Sequence, residues 1–410
     1  MVTRRAALVG ALLLVCATAA LTWRLASAPA GLRAPPVAAV SAGLGLIERQ
    51  ALNPPDPARL AEAALRGAVS ALGDPHSAYL DPASYAALRA GAAGRHSGVG
   101  LVLIAGRGGY PVVDRVVAGS PAATTGYAGA PSGSAPGLRP GDRLLAVNGS
   151  TAEGVGIATV RGWLGGAPGT EVRVTVARQV AGSGVRRLEF VLVRRVFAVA
   201  AVTWTLLPGR IGDVAIAGFN AETGPQLAAA VAALRARHAR AVVIDLRDDP
   251  GGLVSAAQQV ARYLLPGGVL GYLQPRRGPR QAVPVPQPLR PLGMPYAVLV
   301  NRYSASAAEL LAAAVQDAHA APVVGERTFG KATVQRVFPL AGGAALKLTV
   351  ARYLTPNGRD LGGRGMTPDV LVPFPAPTPG RIGRPATDPQ LAAAMVLLER
   401  RLAAQGRPAA

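Results

Sequence analysis

The chain has 410 residues, half of them hydrophobic, and carries a formal charge of +21. Its basic residues are scattered, with no run of five, no aromatic interleaving and no helix-turn-helix or zinc-finger pattern, which argues against nucleic acid as a partner. The single cysteine, Cys16, allows no internal disulfide, and the four histidines lack ligand spacing, so no metal, no cofactor and no histidine-based triad is expected.

The N-terminus reads as an export signal. Arg4 and Arg5 precede an uncharged stretch from Ala6 to Trp23, and Ala26-Ser27-Ala28 offers a small-residue cleavage pattern. Residues 1–28 are therefore a cleaved signal or a retained membrane anchor, and either outcome places the remaining chain outside the cytoplasm, in a bacterial periplasm or cell envelope. Residues 29–93 form a region of their own. A Pro/Ala-rich linker is expected over 30–39, and apolar residues at helical spacing follow from Val40 to about Gly91. Pro54-Pro55-Asp56-Pro57 separates two of these helices, with Asp56 or Pro57 opening the second.

The period changes to strands after the glycine-rich stretch 91–97. Strands are predicted at 99–104, 110–116, 171–177 and 188–196, with another inside 138–149 that ends on an Asn148-Gly149 turn. Short helices are predicted at Ser120-Pro121-Ala122-Ala123 and at 155–164. This unit, bounded as 94–185, resembles a PDZ domain through Gly98-Val99-Gly100-Leu101, Ser120-Pro121-Ala122, Arg139-Pro140-Gly141-Asp142 and Val147-Asn148-Gly149. The resemblance implies that Gly98, Val99, Gly100 and Leu101 form the loop whose backbone N–H groups receive a peptide's terminal carboxylate.

Residues 186–375 alternate strands with helices, an α/β pattern. Strands are predicted at 210–217, 241–246, 296–301, 323–324, 332–338 and 345–352, and helices at 223–235, 254–265 and 306–318. A last helix, 388–405, lies in the tail 376–410.

Three segments here carry the candidate chemistry. Ser306, in Ser304-Ala305-Ser306-Ala307, stands between a buried strand and a helix. There the N–H of Ala307 points at developing negative charge. Glu309, three residues on, also fits an ordinary capping box. Lys331 is one of only two lysines among 43 basic residues, the other being Lys347 in an alternating strand where it is expected to face solvent. Unlike arginine, a buried lysine readily gives up its proton, and a serine with a neutral lysine makes a nucleophile and its base. Gln335, four residues on, is expected on the same strand face to hold the amine in place. Asp245-Leu246-Arg247-Asp248-Asp249-Pro250-Gly251-Gly252 follows a buried strand, where α/β sheets carry ligands, and its glycines offer a second oxyanion donor.

Together with Thr328-Phe329-Gly330-Lys331, Tyr353-Leu354-Thr355-Pro356 and Asp74-Pro75-His76-Ser77-Ala78-Tyr79, these motifs resemble the C-terminal processing (tail-specific) peptidases of the serine-lysine type. The resemblance implies a ClpP/crotonase-like α/β core with an inserted PDZ domain and an N-terminal helical segment. It implies Ser306 as nucleophile, Lys331 as base, Gln335 as its orienting partner, and Ala307 with Gly251 or Gly252 as oxyanion hole. It also implies protein substrates held by their C-terminal tails. Ala308, Ala332 and Asp249 depart from the family's usual serine, glycine and asparagine. A catalytically inactive PDZ-bearing scaffold is the alternative, and self-association is left open.

Overall fold

The computed structural model describes residues 36–406 apart from 131–136, 181, 183, 287–291, 375–382 and 384. The expected export segment, with Cys16, lies outside the described residues. Among the described residues no helix is long and apolar enough to cross a membrane.

Met1–Gly73 and Asp74–Ala410 are separate compact units. In the first, α1 (Pro36–Gln50) and α2 (Pro57–Ser70) are the helices described. The linker expected over 30–39 is overtaken from Pro36 onward, because proline is preorganised for the first helical position and good helix formers follow it. Asp56 caps α2, its Oδ1 accepting the N–H groups of Ala58 and Arg59 at 2.9 and 3.3 Å.

The second unit begins with β1 (Ala78–Leu80) and α3 (Pro82–Ala92), followed by β2 (Arg95–Gly98). A β-rich insert follows: β3 (Leu101–Ala105), β4 (Pro111–Val116), α4 (Pro121–Thr124), β5 (Arg143–Val147), β6 (Ser150–Thr151), α5 (Ile157–Leu164), β7 (Glu171–Val180) and β8 (Gly184–Val193). Its sheet runs β3-β4-β5-β7-β8, with β3 at one edge. The boundary expected after residue 185 falls inside the β7–β8 hairpin, which carries the insert to Val193. The chain then leaves along β9 (Arg195–Ala198), which pairs with the entry strand β2 from Arg95↔Ala198 to Gly98↔Arg195.

Two buried arginines close the insert. Arg194 donates to the carbonyls of Trp163 and Leu164 at 2.9 and 3.1 Å, satisfying the C-terminal end of α5. Arg178 binds Asp142 at 2.6 Å and the Gly137 carbonyl at 3.0 Å, while Asp142 accepts the Arg139 N–H at 2.8 Å. Asp142→Ala would leave that guanidinium buried and unpaired. It is expected to destabilise the insert by about 3–5 kcal/mol in chemical denaturation, whereas Glu153→Ala on the surface should change stability by less than about 0.5 kcal/mol.

The core sheet is built from β10 (Val202–Leu207), β11 (Ile211–Ile216), β12 (Ala241–Asp245), β15 (Tyr296–Val300), β16 (Val323–Gly325) and β19 (Val370–Leu371), in that spatial order. All neighbours from β11 to β19 are parallel. Helices α6 (Thr223–Ala236), α7 (Val254–Leu264) and α8 (Ala307–Asp317) pack on one face, and α9 (Pro389–Ala404) on the other. Alternation along β12 shows the layering. Val242 and Ile244 join the first core, while Ala241 and Val243 join the second. Burial on both faces explains why β12 and β15 read as unbroken apolar runs.

A second sheet combines β1, β13 (Val269–Pro275), β14 (Gln281–Pro284), β17 (Thr333–Pro339) and β18 (Ala345–Leu354). β18 is its hub, pairing β1, β13 and β17.

Candidate active site

Three adjacent parallel strands each deliver one loop to the same sheet edge. The loop after β12 holds Asp248 to Gly252, the loop after β15 holds Ser304 to Ser306, and the loop after β16 leads to Lys331. The sheet order thus brings together Asp248 and Lys331, 83 residues apart in the chain (331 − 248), at the carboxyl ends of the strands.

The first two loops are zipped together. Ser304 Oγ donates to the Leu246 carbonyl at 2.7 Å and accepts the Asn301 N–H at 2.9 Å. Asn301 in turn accepts the Asp248 N–H at 3.0 Å and donates to Asp248 Oδ1 at 2.9 Å, and the Ala305 N–H reaches the Asp249 carbonyl at 2.9 Å. A Cβ on Gly251 would stand 2.6 Å from the Ala305 carbonyl oxygen and 2.7 Å from Ser306 Cβ, so only glycine lets the loop press this closely on the serine.

Behind it, buried Arg247 binds Asp245 at 2.6 Å and Asp388, the cap of α9, at 2.9 Å. Asp213 lies in the same buried region. Burial, reinforced by the Asp245 charge, pushes its carboxyl up to about 7.

Ser306 is the N-cap of α8 with φ 58° and ψ −118°, a conformation that a side chain makes costly. The Ala307 N–H occupies the first position of that helix, where no intrahelical acceptor exists. The expected oxyanion loop divides its roles. Gly251 gives its N–H to Asp249 Oδ1 at 2.7 Å and so is engaged within the loop. The Phe219 N–H binds the Gly251 carbonyl and the Leu253 N–H binds the Phe219 carbonyl, which leaves the N–H of Gly252 outside this bridge.

Glu309 links the serine to the lysine. It is fully buried. Its Oε2 accepts the N–H of Ser306 and the N–H of Lys331, each at 2.9 Å, so the two backbone nitrogens lie within twice that distance of one another. Its Oε1 accepts Thr328 Oγ1 at 2.6 Å and the Gly330 N–H at 2.7 Å. Tyr353 adds its hydroxyl to the Ser306 carbonyl at 3.1 Å and to the Lys331 carbonyl.

Lys331 is half-buried, and its ammonium has no hydrogen-bond or ion-pair partner among the described residues. Burial lowers its pKa, and the charge of Lys347 lowers it further, against smaller opposing effects from Asp74 and Glu309. Lys347 was expected to face solvent. It is instead half-buried, flanked by Ala78 of β1 and Val337 of β17, because β18 is an interior strand and not an edge.

Gln335 makes no hydrogen bond to the amine. It donates to Thr333 Oγ1 and Thr349 Oγ1, both at 3.0 Å. The Thr349 N–H continues to Ser77 Oγ at 3.0 Å, and Ser77 donates to Asp74 at 2.5 Å. Hydrogen bonds from Ser77 and then Thr349 hold the Asp74 carboxyl down at about 2. A cleft of about 340 Å³ beside Gln335 is lined by Leu273, Val334, Val350 and Ala351 together with Arg277 and Arg336.

Glu309, Tyr353, Thr349 and Asp74 were not assigned these contacts from sequence. Glu309 shows there only as a capping residue, and Asp74 only as part of a motif without a chemical role. Of Gly98 to Leu101, expected as one loop, Gly98 ends β2, Val99 and Gly100 form the link, and Leu101 opens the edge strand β3. Val99 points into the insert's core, and Gly100 packs against Ser120 so closely that a Cβ would meet it at 2.1 Å.

Residues 210–372 match the model of peptidase family S41. The carboxyl-terminal-processing protease of Synechocystis is 32% identical over 82% of this chain and 76% of its own length. The chain belongs to peptidase family S41. Carboxyl-terminal-processing peptidase 2 of Arabidopsis thaliana is 34% identical over 76% of this S41 chain, which spans 60% of that relative's length. The solved photosystem II D1 C-terminal processing protease is 31% identical, with a TM-score of 0.54 over 85% of this chain and 88% of that one. The expectation of a serine-type peptidase of the C-terminal processing kind is met at the level of family, and the mixed α/β core agrees with that fold.

Proposed function

We propose that this S41 chain is an exported serine endopeptidase that cuts proteins near their C-termini by serine-lysine catalysis. The observation that carries the reading is the single buried carboxylate of Glu309, which holds the backbones of Ser306 and Lys331 side by side. Neutral Lys331 takes the Ser306 hydroxyl proton as Oγ attacks the scissile carbonyl. The N–H groups of Ala307 and Gly252 receive the oxyanion. The departing amine then takes the proton from Lys331, and water releases the acyl group by the same route in reverse. The direct serine-lysine hydrogen bond belongs to the substrate complex, since such bonds commonly tighten only when substrate binds. Gln335 acts at one remove, fixing the strand that follows the lysine.

The β-rich insert is the PDZ domain in this reading, and the core is the ClpP/crotonase-like fold. The free edge of β3 takes the tail as an added strand, and the Gly98–Leu101 loop takes its carboxylate. The valines and alanine among the residues lining the cleft beside Gln335 suit an apolar substrate side chain.

An unfolded protein ending in an apolar residue tests this. The purified chain should cut it near the C-terminus, and amidation of that end should raise KM by about tenfold with kcat little changed, as loss of uniform binding does. Binding of the tail without any cleavage would favour the inactive-scaffold alternative.

The lysine also sets a pH dependence. Only its neutral form accepts the proton, so kcat/KM rises with pH through the pKa of Lys331. The charge of Lys347 disfavours the ammonium and lowers that pKa. Lys347→Met should therefore raise it and move the acid limb to higher pH, a shift read from the pH–rate profile.

A further inference from the structure

Asp249 is a buried acid that this mechanism does not use. Its residue is 0% exposed. Its Oδ1 accepts the Gly251 N–H at 2.7 Å, its carbonyl accepts the Ala305 N–H at 2.9 Å, and its own N–H reaches the Leu246 carbonyl at 3.3 Å. Its Oδ2 is buried with no hydrogen-bond partner.

The charged groups around it are turned elsewhere. In its own loop, Arg247 is engaged by Asp245 and Asp388, and Asp248 by Asn301. On α8, Glu309 is engaged by Ser306, Thr328, Gly330 and Lys331. The loop after β15 presents the neutral Asn301 and Ser304. Among the described residues, no cation offsets a charge on Asp249. Burial accordingly holds its carboxyl well above the usual carboxylate range.

An ionised carboxylate here would be desolvated, half-satisfied and close to the developing oxyanion. A protonated one keeps its acceptor for Gly251 and adds no like charge. We propose that Asp249 is held as the neutral carboxylic acid and in that form positions the Gly251–Gly252 turn as an oxyanion donor beside Ser306. The turn is fixed at Gly251 so that the next N–H, that of Gly252, is free to face the serine. The proposal rests on the peptidase reading above.

The test uses the full chain with a peptide ending in a free apolar residue. Asp249→Asn preserves shape, neutrality and the acceptor, and Asp249→Ala removes the acceptor. The asparagine variant should keep kcat within about threefold, and the alanine variant should lose about ten- to a hundredfold in kcat with KM nearly unchanged, as loss of a transition-state contact does. Infrared difference spectra of the parent minus Asp249→Asn near neutral pH should show the C=O stretch of a protonated carboxyl. A folded asparagine variant as slow as the alanine variant, or the absence of that band, overturns the proposal. Undiminished activity in Ser306→Ala would sink the peptidase reading instead, and the infrared band would still decide the protonation state.

Discussion

Ser306→Ala and Lys331→Met should each lower kcat by roughly 10⁴-fold or more, and the double variant should be scarcely slower than either single one. Residues that act as one unit show this non-additivity, because removing either partner already disables the proton transfer. Lys331→Arg should be as inactive as Lys331→Met, since guanidinium remains charged at any working pH. Steady-state kinetics on the purified variants, with melting curves to confirm folding, measure the effect. Full activity in Lys331→Arg would exclude a neutral amine as the base.

Glu309→Ala should unfold or nearly unfold the chain. Four donors lose their acceptor at once, the N–H groups of Ser306, Gly330 and Lys331 and the hydroxyl of Thr328. Each buried unsatisfied group costs about 1–3 kcal/mol, so the total rivals the 5–15 kcal/mol by which a domain is stable. Glu309→Gln keeps one acceptor oxygen and replaces the other by an NH₂ group that faces donors. It should fold with a lowered midpoint in chemical denaturation and lose activity more steeply than stability, because the contacts it breaks set the spacing of the serine and lysine loops. Wild-type stability in Glu309→Ala would contradict the buried network.

The sequence made the core elements legible where one physical signal dominated. Buried parallel strands such as 241–245 and 296–300 read as apolar runs, and α8 followed from its capping residues. Strands β10, β13 and β14 were not anticipated: β10 pairs with the adjacent β11 and its alternation from Val202 to Leu206 was a readable signal, whereas Gly271, Pro275 and Pro284 interrupt the pattern in β13 and β14. The site was legible as residue types at loop positions. Its wiring was not. Whether Gln335 meets Lys331 or Thr349 depends on the register of β17 against β18, and a bulge between Val334 and Gln335 alters that register. The partial burial of Lys347 likewise comes from the two strands flanking β18, which no local pattern reveals.

The pairing of β2 with β9 makes the β-rich insert a cassette. Gly98 and Arg195 are cross-strand neighbours, so the two cuts that would excise everything between them lie side by side. A tight turn could close the gap and leave a hairpin, with the catalytic architecture spliced rather than severed. The same geometry would let one insert be exchanged for another at these two strands while the sheet that carries Ser306 keeps its own strand pairing.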